Sequence, residues 1–262
     1  FAQYLVDIWK HFRDEEGITF STVSPFNEPE WSWEGDSQEG TPLTRQQVLA
    51  LSRAVASAFS EQNVSAKLLI PEAGAWEFLY GKGRWYADMI LADPVLASHT
   101  ILAMHSYWTT DAQRQRAGQY MTRYPDQRIW QTEWCEMLGG RDYGMGSALT
   151  LAHTVHADLT LANVSAWQHW VAVNRYDHRD SLLYTEYFKP GDQENIEKTK
   201  KLWSLGNFSR FIRPGAVRID VRSNYALAGE PYRSAVLMSA FRNVDGKWVV
   251  VAINQSDAWQ QV

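Results

Sequence analysis

Segments with strand and helix patterning alternate along the first 209 residues, and this alternation restricts the fold more than any other feature of the chain. Phe1 to Glu16 (FAQYLVDIWKHFRDEE) spaces Leu5, Ile8, Trp9 and Phe12 as on one helical face and ends at Gly17. Strands are expected at Ile18–Ser24, Lys67–Pro71, Thr100–His105, Ile129–Thr132 and Val164–Val171. Helices are expected over Thr44–Glu61, capped by Thr44, within Trp85–Asp93, and over Asp111–Tyr124, Gly144–Leu161 and Gln193–Asn207. One helix followed by five βα units implies a parallel sheet covered by helices, either open and doubly wound or closed into a barrel.

The residues at the strand ends distinguish these two. In a (β/α)8 TIM barrel the reactive groups sit at the carboxyl ends of several strands and face one mouth. Polar and aromatic residues gather at that end of all five: Asn27-Glu28, Glu72, His105 with Tyr107, Glu133, and Trp167 to Trp170. No glycine-rich phosphate loop follows a strand, and Gly81-Lys82-Gly83 reads as a plain loop. The barrel is therefore the expected fold, with the first three strands preceding Phe1 and the visible ones numbered four to eight. Beyond Asn207 the pattern turns to β, at Ala216–Val221, Ala235–Phe241 and Trp248–Asn254, with an Asn243-Val244-Asp245-Gly246 hairpin turn. Three strands are few for an antiparallel domain, so the carboxyl end is also expected to be incomplete. Phe1–Val262 in isolation is expected to expose unpaired sheet edges and to aggregate.

Glu28 in Asn27-Glu28-Pro29 and Glu133 in Thr132-Glu133-Trp134 each close a short apolar run. Two carboxylates on separate rigid supports are what retaining cleavage of a glycosidic bond requires: one protonates the departing oxygen, the other attacks the anomeric carbon from the opposite face. Thirteen tryptophans in 262 residues are about four times the ordinary share, and their flat faces suit sugar rings. A net charge of −5 with interspersed signs leaves no basic stripe for nucleic acid. No apolar run approaches the roughly 18 residues of a membrane span.

Taken together, VSPFNEPEW, QEGTP, AMHSYW, WQTEWC, SAWQHWVAV and LGNFSRFIRPG resemble glycoside hydrolase family 30, in the clan of retaining barrel glycosidases. The resemblance spans essentially the whole chain. It implies that Glu28, on the fourth barrel strand, is the acid/base and Glu133, on the seventh, the nucleophile. It also implies a side β-sandwich, so residues 1–209 are expected to form the catalytic barrel and 210–262 the start of the sandwich. The aromatic and acidic loop EWSWEGDSQEGTP resembles that of members acting on β-1,6-linked galactan or glucan, which favours an endo-β-1,6-galactanase. A β-1,6-glucanase or glucuronoxylanase is the alternative, and a non-catalytic glycan-binding protein is the alternative of another class. A glucuronoxylanase would want a cationic pocket for the uronic acid, to which Arg175, Arg179 and Arg213 could contribute, although nothing in their spacing demands it.

The remaining site residues follow from position. Asn27 is placed to bond a sugar 2-hydroxyl. His105 and Tyr107, two apart on one strand face, point to the mouth, and the Tyr107 hydroxyl is expected to donate to Glu133 and favour its ionised form. Trp31 and Trp33 supply aromatic walls beside Glu28, Trp134 adjoins Glu133, and Trp167 is the sugar platform of its strand because Trp170 points the other way. Glu72 shapes the mouth or bonds a backbone amide. Trp9 and Trp203, on helices, are assigned to packing. His153 and His156 lack a third ligand, so no metal and no cofactor is implied. Cys135, the only cysteine, is expected to be buried and inert. The partner is then a polysaccharide or oligosaccharide, met by a monomer that is secreted, periplasmic or displayed at the cell surface.

Overall fold

The computed structural model describes the chain apart from residues 36–39, 82–85, 187–194, 223–225, 228–229 and 261–262, with 226–227 and 230–234 described through the backbone alone. Parts of the acidic loop after Glu28, the Lys82-Gly83 loop, Trp85 and Gln193 therefore lie outside the described residues. Contacts divide the chain into two compact units, Phe1–Glu133 with Ala162–Trp167, and Trp134–Leu161 with Gln168–Val262. The 209/210 boundary expected from sequence falls within the second.

The first unit opens with α1 (Ala2–Asp14), which buries Val6 and Trp9. The Trp9 indole donates to the Phe20 carbonyl at 2.8 Å, so Trp9 is a packing residue. Strand β1 is only Thr22–Val23. It is shorter than Ile18–Ser24 because Ile18 and Phe20 lie exposed and pairing is confined to Lys67 and Leu68 of the next strand. Helix α2 (Arg45–Glu61) starts on Thr44 with a full capping box to Gln47. Strand β2 (Lys67–Ala73) is buried on both faces after its first residue, as a central parallel strand must be.

Three short helices follow, α3 (Glu77–Tyr80), α4 (Tyr86–Leu91) and α5 (Pro94–His99). The Asp93 carboxylate accepts the Val95 and Leu96 N–H groups, so Asp93-Pro94 begins α5 rather than closing the helix before it. Strand β3 (Thr100–His105) has the expected bounds. Helix α6 (Asp111–Met121) starts on a second capping box, Thr110 with Gln113, and β4 (Ile129–Glu133) completes a parallel sheet of order β1-β2-β3-β4. Leu68, Ile70, Leu102 and Met104 are fully buried in this sheet, each contributing about 1.5–3 kcal/mol. The expected strand Val164–Val171 is reduced to one parallel bridge between Gln131 and Trp167. Its backbone still lies along β4, with the Ser165 N–H on the Ile129 carbonyl and the Gln131 N–H on the Ala166 carbonyl.

In the second unit α7 (Met145–Thr160) buries an Ala- and Leu-rich face. Strands β5 (Val173–Asn174), β6 (Leu183–Thr185) and β7 (Ile196–Lys198) form a small sheet, β7 antiparallel to β6. Helix α8 (Lys200–Ser209) begins only after Thr199, whose extended backbone is its N-cap. The helix expected from Gln193 is thus partly strand, because Ile196-Glu197-Lys198 alternates and pairs with Leu183–Thr185. Helix α8 turns Lys201 and Phe208 inward. Trp203 therefore faces outward, 61% exposed, and is not the packing residue expected.

After α8 come β8 (Val217–Ile219), β9 (Ala226–Leu227), β10 (Glu230–Ser234), β11 (Val236–Arg242) and β12 (Trp248–Asn254). Strands β12-β11-β8 form an antiparallel sheet and β9 pairs with β10. The β11–β12 turn closes with the Gly246 N–H on the Asn243 carbonyl, Gly246 supplying φ 83°. A groove of about 890 Å³ between α7, α8 and β12 is lined by Trp203 and Trp248. Among the described residues no helix is long and apolar enough to cross a membrane.

Candidate active site

Every residue of this site belongs to the first unit. The loop after β1 brings Glu28 to the carboxyl end of β2, where the Glu28 N–H donates to the Glu72 carbonyl at 2.8 Å. Glu28 and Glu72 both take left-handed backbone, at φ 40° and φ 54°. That region costs a residue with a Cβ about 1–2 kcal/mol, so packing must hold it.

His105, at the end of β3 and 1% exposed, is the centre of the arrangement. Its Nδ1 lies 2.8 Å from Glu28 Oε1 and 3.7 Å from Glu133 Oε1, and its Nε2 lies 3.5 Å from Glu72 Oε2. Burial works to lower the His105 pKa, but the bonds to Glu28 and Glu72 and the charge of Glu133 outweigh it and carry it up to about 10. His105 is ringed by three carboxyl groups, and charge on them favours its protonated form. Glu72 is further held by the Ser24 and Thr132 hydroxyls, both donating to its carboxylate. It braces His105 through its side chain and the Glu28 backbone through its carbonyl.

Glu133 ends β4, and its Oε1 accepts the Tyr107 hydroxyl at 3.0 Å, the bond expected from the strand register. Burial raises the Glu133 pKa. His105 and Tyr107 oppose that rise, while Glu28 and Glu72 add to it. Tyr107 thus limits the upward shift without reversing it. We expect Tyr107→Phe to lose a donor to the charged form, push the Glu133 pKa higher and move the acid limb of kcat/KM to higher pH, which a pH–rate profile reads directly.

Glu28, His105 and Glu133 offer ligand atoms within 4.8 Å of one another. This spacing would accommodate a cation, and His105 Nδ1 pairs with Glu28 Oε1. The same figure places a carboxylate oxygen of Glu28 within 4.8 Å of one from Glu133.

Exposed Asn27 stands beside buried Glu28. Trp31 is 38% exposed, packed edge-on against Trp108 at 5.4 Å, and Trp108 is in turn 5.5 Å from the Tyr107 ring. These rings form an open aromatic wall. Trp33 donates its indole N–H to the Glu28 carbonyl at 3.2 Å, so it braces the loop. Trp167, half-buried, pairs through its backbone with Gln131. Trp134 departs from expectation: it is 8% exposed with its ring against His169, and offers no open face to a sugar.

Glu30, Gly74 and Trp108 escaped the sequence reading. Trp108 directly follows Tyr107 in AMHSYW and could have been found as the next aromatic past the strand end. Gly74 is required by close approach, since a Cβ there would lie 2.9 Å from Glu28 Oε1 and 3.0 Å from Trp31 Nε1. Glu28 cannot yield without leaving His105. We expect Gly74→Ala to cost about 1–3 kcal/mol in denaturant unfolding and to reduce activity at least about tenfold through displacement of Glu28.

One carboxyl on the loop after β1 and one at the end of β4 thus meet at a buried histidine and a tyrosine, beside an aromatic wall. Residues 1–184 match O-Glycosyl hydrolase family 30, and residues 215–262 match the glycosyl hydrolase family 30 beta sandwich domain. The chain belongs to glycoside hydrolase family 30, as a catalytic domain followed by a C-terminal β-sandwich domain. It is 26% identical over 283 residues to glucuronoxylanase XynC of Bacillus subtilis, a match covering 98% of this chain and 52% of that protein. A conserved exported protein from Bacteroides fragilis superposes with a TM-score of 0.81 at 28% identity, covering 98% of this chain and 59% of the other. The catalytic domain of GH30 xylanase C from Talaromyces cellulolyticus shares the fold, with a TM-score of 0.73 at 23% identity over 96% of this chain and 53% of the other. The chain spans about half the length of the curated relatives it matches.

Proposed function

We propose that the protein is a retaining endo-glycosidase that cleaves a β-linked polysaccharide by double displacement. The observation that carries this reading is that a carboxyl oxygen of Glu28 and one of Glu133 lie within 4.8 Å of each other, both beside His105 Nδ1. Glu133 attacks the anomeric carbon as Glu28 passes its proton to the glycosidic oxygen, giving a covalent glycosyl-enzyme and a free chain end. Glu28, now ionised, takes a proton from water, which attacks the same carbon and releases Glu133. His105 holds Glu28 Oε1, leaving the other oxygen to carry the proton. Asn27 bonds the sugar 2-hydroxyl, and Trp31 with Trp108 stacks a neighbouring ring. A non-catalytic glycan binder would need the aromatic wall but not this assembled pair. In this reading β1 to β4 and the Trp167 segment are consecutive strands of a (β/α)8 barrel.

The substrate we favour is neutral β-1,6-linked galactan. The cations available for a uronic acid are engaged by their own surroundings: Arg175 over the Tyr176 ring at 5.0 Å, Arg179 on the Gly139 and Gly140 carbonyls, and Arg213 on the Ser209 carbonyl. The likeness to XynC supports glucuronoxylan as the second reading, and β-1,6-glucan is the third. A polymer substrate implies action outside the cytoplasm, which the exported Bacteroides fragilis relative supports. Both carboxylates come from one chain, so a monomer suffices.

The test is product analysis on β-1,6-galactan, β-1,6-glucan and glucuronoxylan. Short oligosaccharides from galactan support the reading, and release from glucuronoxylan alone replaces it with the second. Binding to a glycan without cleavage of any would overturn the enzyme assignment.

A further inference from the structure

Glu30 takes no part in the reaction above, yet it is bonded into the same corner of the site. Its Oε1 accepts the Gly74 N–H at 2.5 Å, and its Oε2 is buried without a hydrogen-bond partner. Burial lifts its pKa to about 7. The Gly74 N–H, its own N–H and His105 act against that rise, and the charge of Glu28 adds to it. The space that a side chain at Gly74 would fill is occupied by three polar atoms, Glu28 Oε1 at 2.9 Å, Trp31 Nε1 at 3.0 Å and Glu30 Oε1 at 3.2 Å from the Cβ position. The loop carrying Glu28 is therefore fastened to the end of β2 at two points. One is backbone to backbone, Glu28 to Glu72. The other is the Glu30 carboxyl on Gly74.

We propose that Glu30 is a positioning residue for Glu28, its carboxyl clamping the loop to the Gly74 N–H so that the Glu28 carboxyl stays on His105 and the Trp31 indole stays at the mouth. Between its fastenings at residues 28 and 30 the loop contains Pro29 alone. Releasing Glu30 frees Trp31 and the following loop to move and leaves Glu28, in left-handed backbone at φ 40°, with its tie to the Glu72 carbonyl and the Trp33 indole on its own carbonyl, which hold its backbone but not its carboxyl on His105. The kinetic consequence rests on the retaining reading above; the geometric one does not.

The test compares Glu30→Gln, which keeps an acceptor oxygen for Gly74, with Glu30→Met, which keeps the bulk and removes the acceptor. On the polysaccharide cleaved in the product panel, Glu30→Met is expected to lose about 10–100-fold in kcat with KM nearly unchanged. Glu30→Gln should stay within about threefold of the unaltered protein. On a 2,4-dinitrophenyl β-glycoside of the sugar released, whose leaving group needs no proton, the pre-steady-state burst of Glu30→Met should remain within about threefold. Equal losses on both substrates, or a Glu30→Gln variant as impaired as Glu30→Met, would overturn the proposal. A crystal structure gives the answer without catalysis: in Glu30→Met the Glu28 carboxylate should leave hydrogen-bond distance of His105 Nδ1, and an unmoved Glu28 contradicts the clamp. Should Glu30→Met not fold, Glu30→Gln still decides, because a 100-fold loss with the acceptor in place is incompatible with a clamp. If the unaltered protein cleaves no glycan, the retaining reading fails while the crystal structure still tests the clamp.

Discussion

Glu133→Gln is expected to end hydrolysis while leaving polysaccharide binding intact. The amide keeps the shape of the side chain and can still accept from the Tyr107 hydroxyl, now 3.0 Å from Glu133 Oε1, so the aromatic wall of Trp31 and Trp108 is undisturbed. An amide cannot form the glycosyl-enzyme. We expect kcat to fall on the order of 10⁴-fold or more, with the dissociation constant for oligosaccharide in isothermal titration changed less than about tenfold. Glu133→Gln leaves His105 with two carboxyl partners, Glu28 and Glu72, enough to keep the fold. A Glu133→Gln protein that still turns over would remove Glu133 from the nucleophile role.

Glu28→Gln should give a different signature, and the contrast between the two variants is the informative part. Loss of the proton donor slows cleavage of unactivated glycan by about 10²–10⁴-fold. An activated aryl glycoside, whose leaving group departs unaided, should still load Glu133 and release a burst of phenol. Turnover then stalls because no base draws a proton from water. Added azide needs no base and should restore turnover, giving a glycosyl azide of the same β configuration as the substrate. Absence of both burst and rescue would mean that Glu28 is not the acid/base.

How far these roles were legible in the sequence depends on the range of the physics involved. Helix starts are local: Thr44 with Gln47 and Thr110 with Gln113 are capping boxes whose partners stand three positions apart, and Thr100–His105 and Trp248–Asn254 are short, mostly apolar runs. Positions decided by neighbours far away in the chain were less legible. Val164–Val171 carries strand patterning, yet only Trp167 forms a bridge, because pairing needs a partner along its length. The helix expected from Gln193 loses Ile196–Lys198 to a strand because β6 competes for those residues. Trp203 has helical spacing on a helix whose inward face is set by Lys201 and Phe208.

The site divides along the same line. Glu28, Glu133, His105 and Tyr107 could be read from the ends of apolar runs; register brings Glu133, His105 and Tyr107 to one edge, and the loop after β1 carries Glu28 there. The unusual state of His105 could not, because it arises from Glu28, Glu72 and Glu133, which are distant in sequence and meet only in the fold. Glu30 looked like one more loop carboxyl. Its partner is the Gly74 N–H, 44 residues on, and a backbone amide carries no sequence signature. Trp134 shows the converse: its neighbour Glu133 suggested a sugar contact, but the period-2 alternation of a strand turns adjacent side chains to opposite faces, and Trp134 is buried.

The anomeric configuration of the first product tests the central claim most directly. Proton NMR of the polysaccharide digest, read within the first turnovers and before mutarotation, separates α from β reducing ends. Two carboxylates acting in succession, Glu133 on carbon and Glu28 on the proton, invert that centre twice and predict that the β-anomer appears first. Initial release of the α-anomer would mean a single displacement by water, and would contradict the assignment of Glu133 as nucleophile.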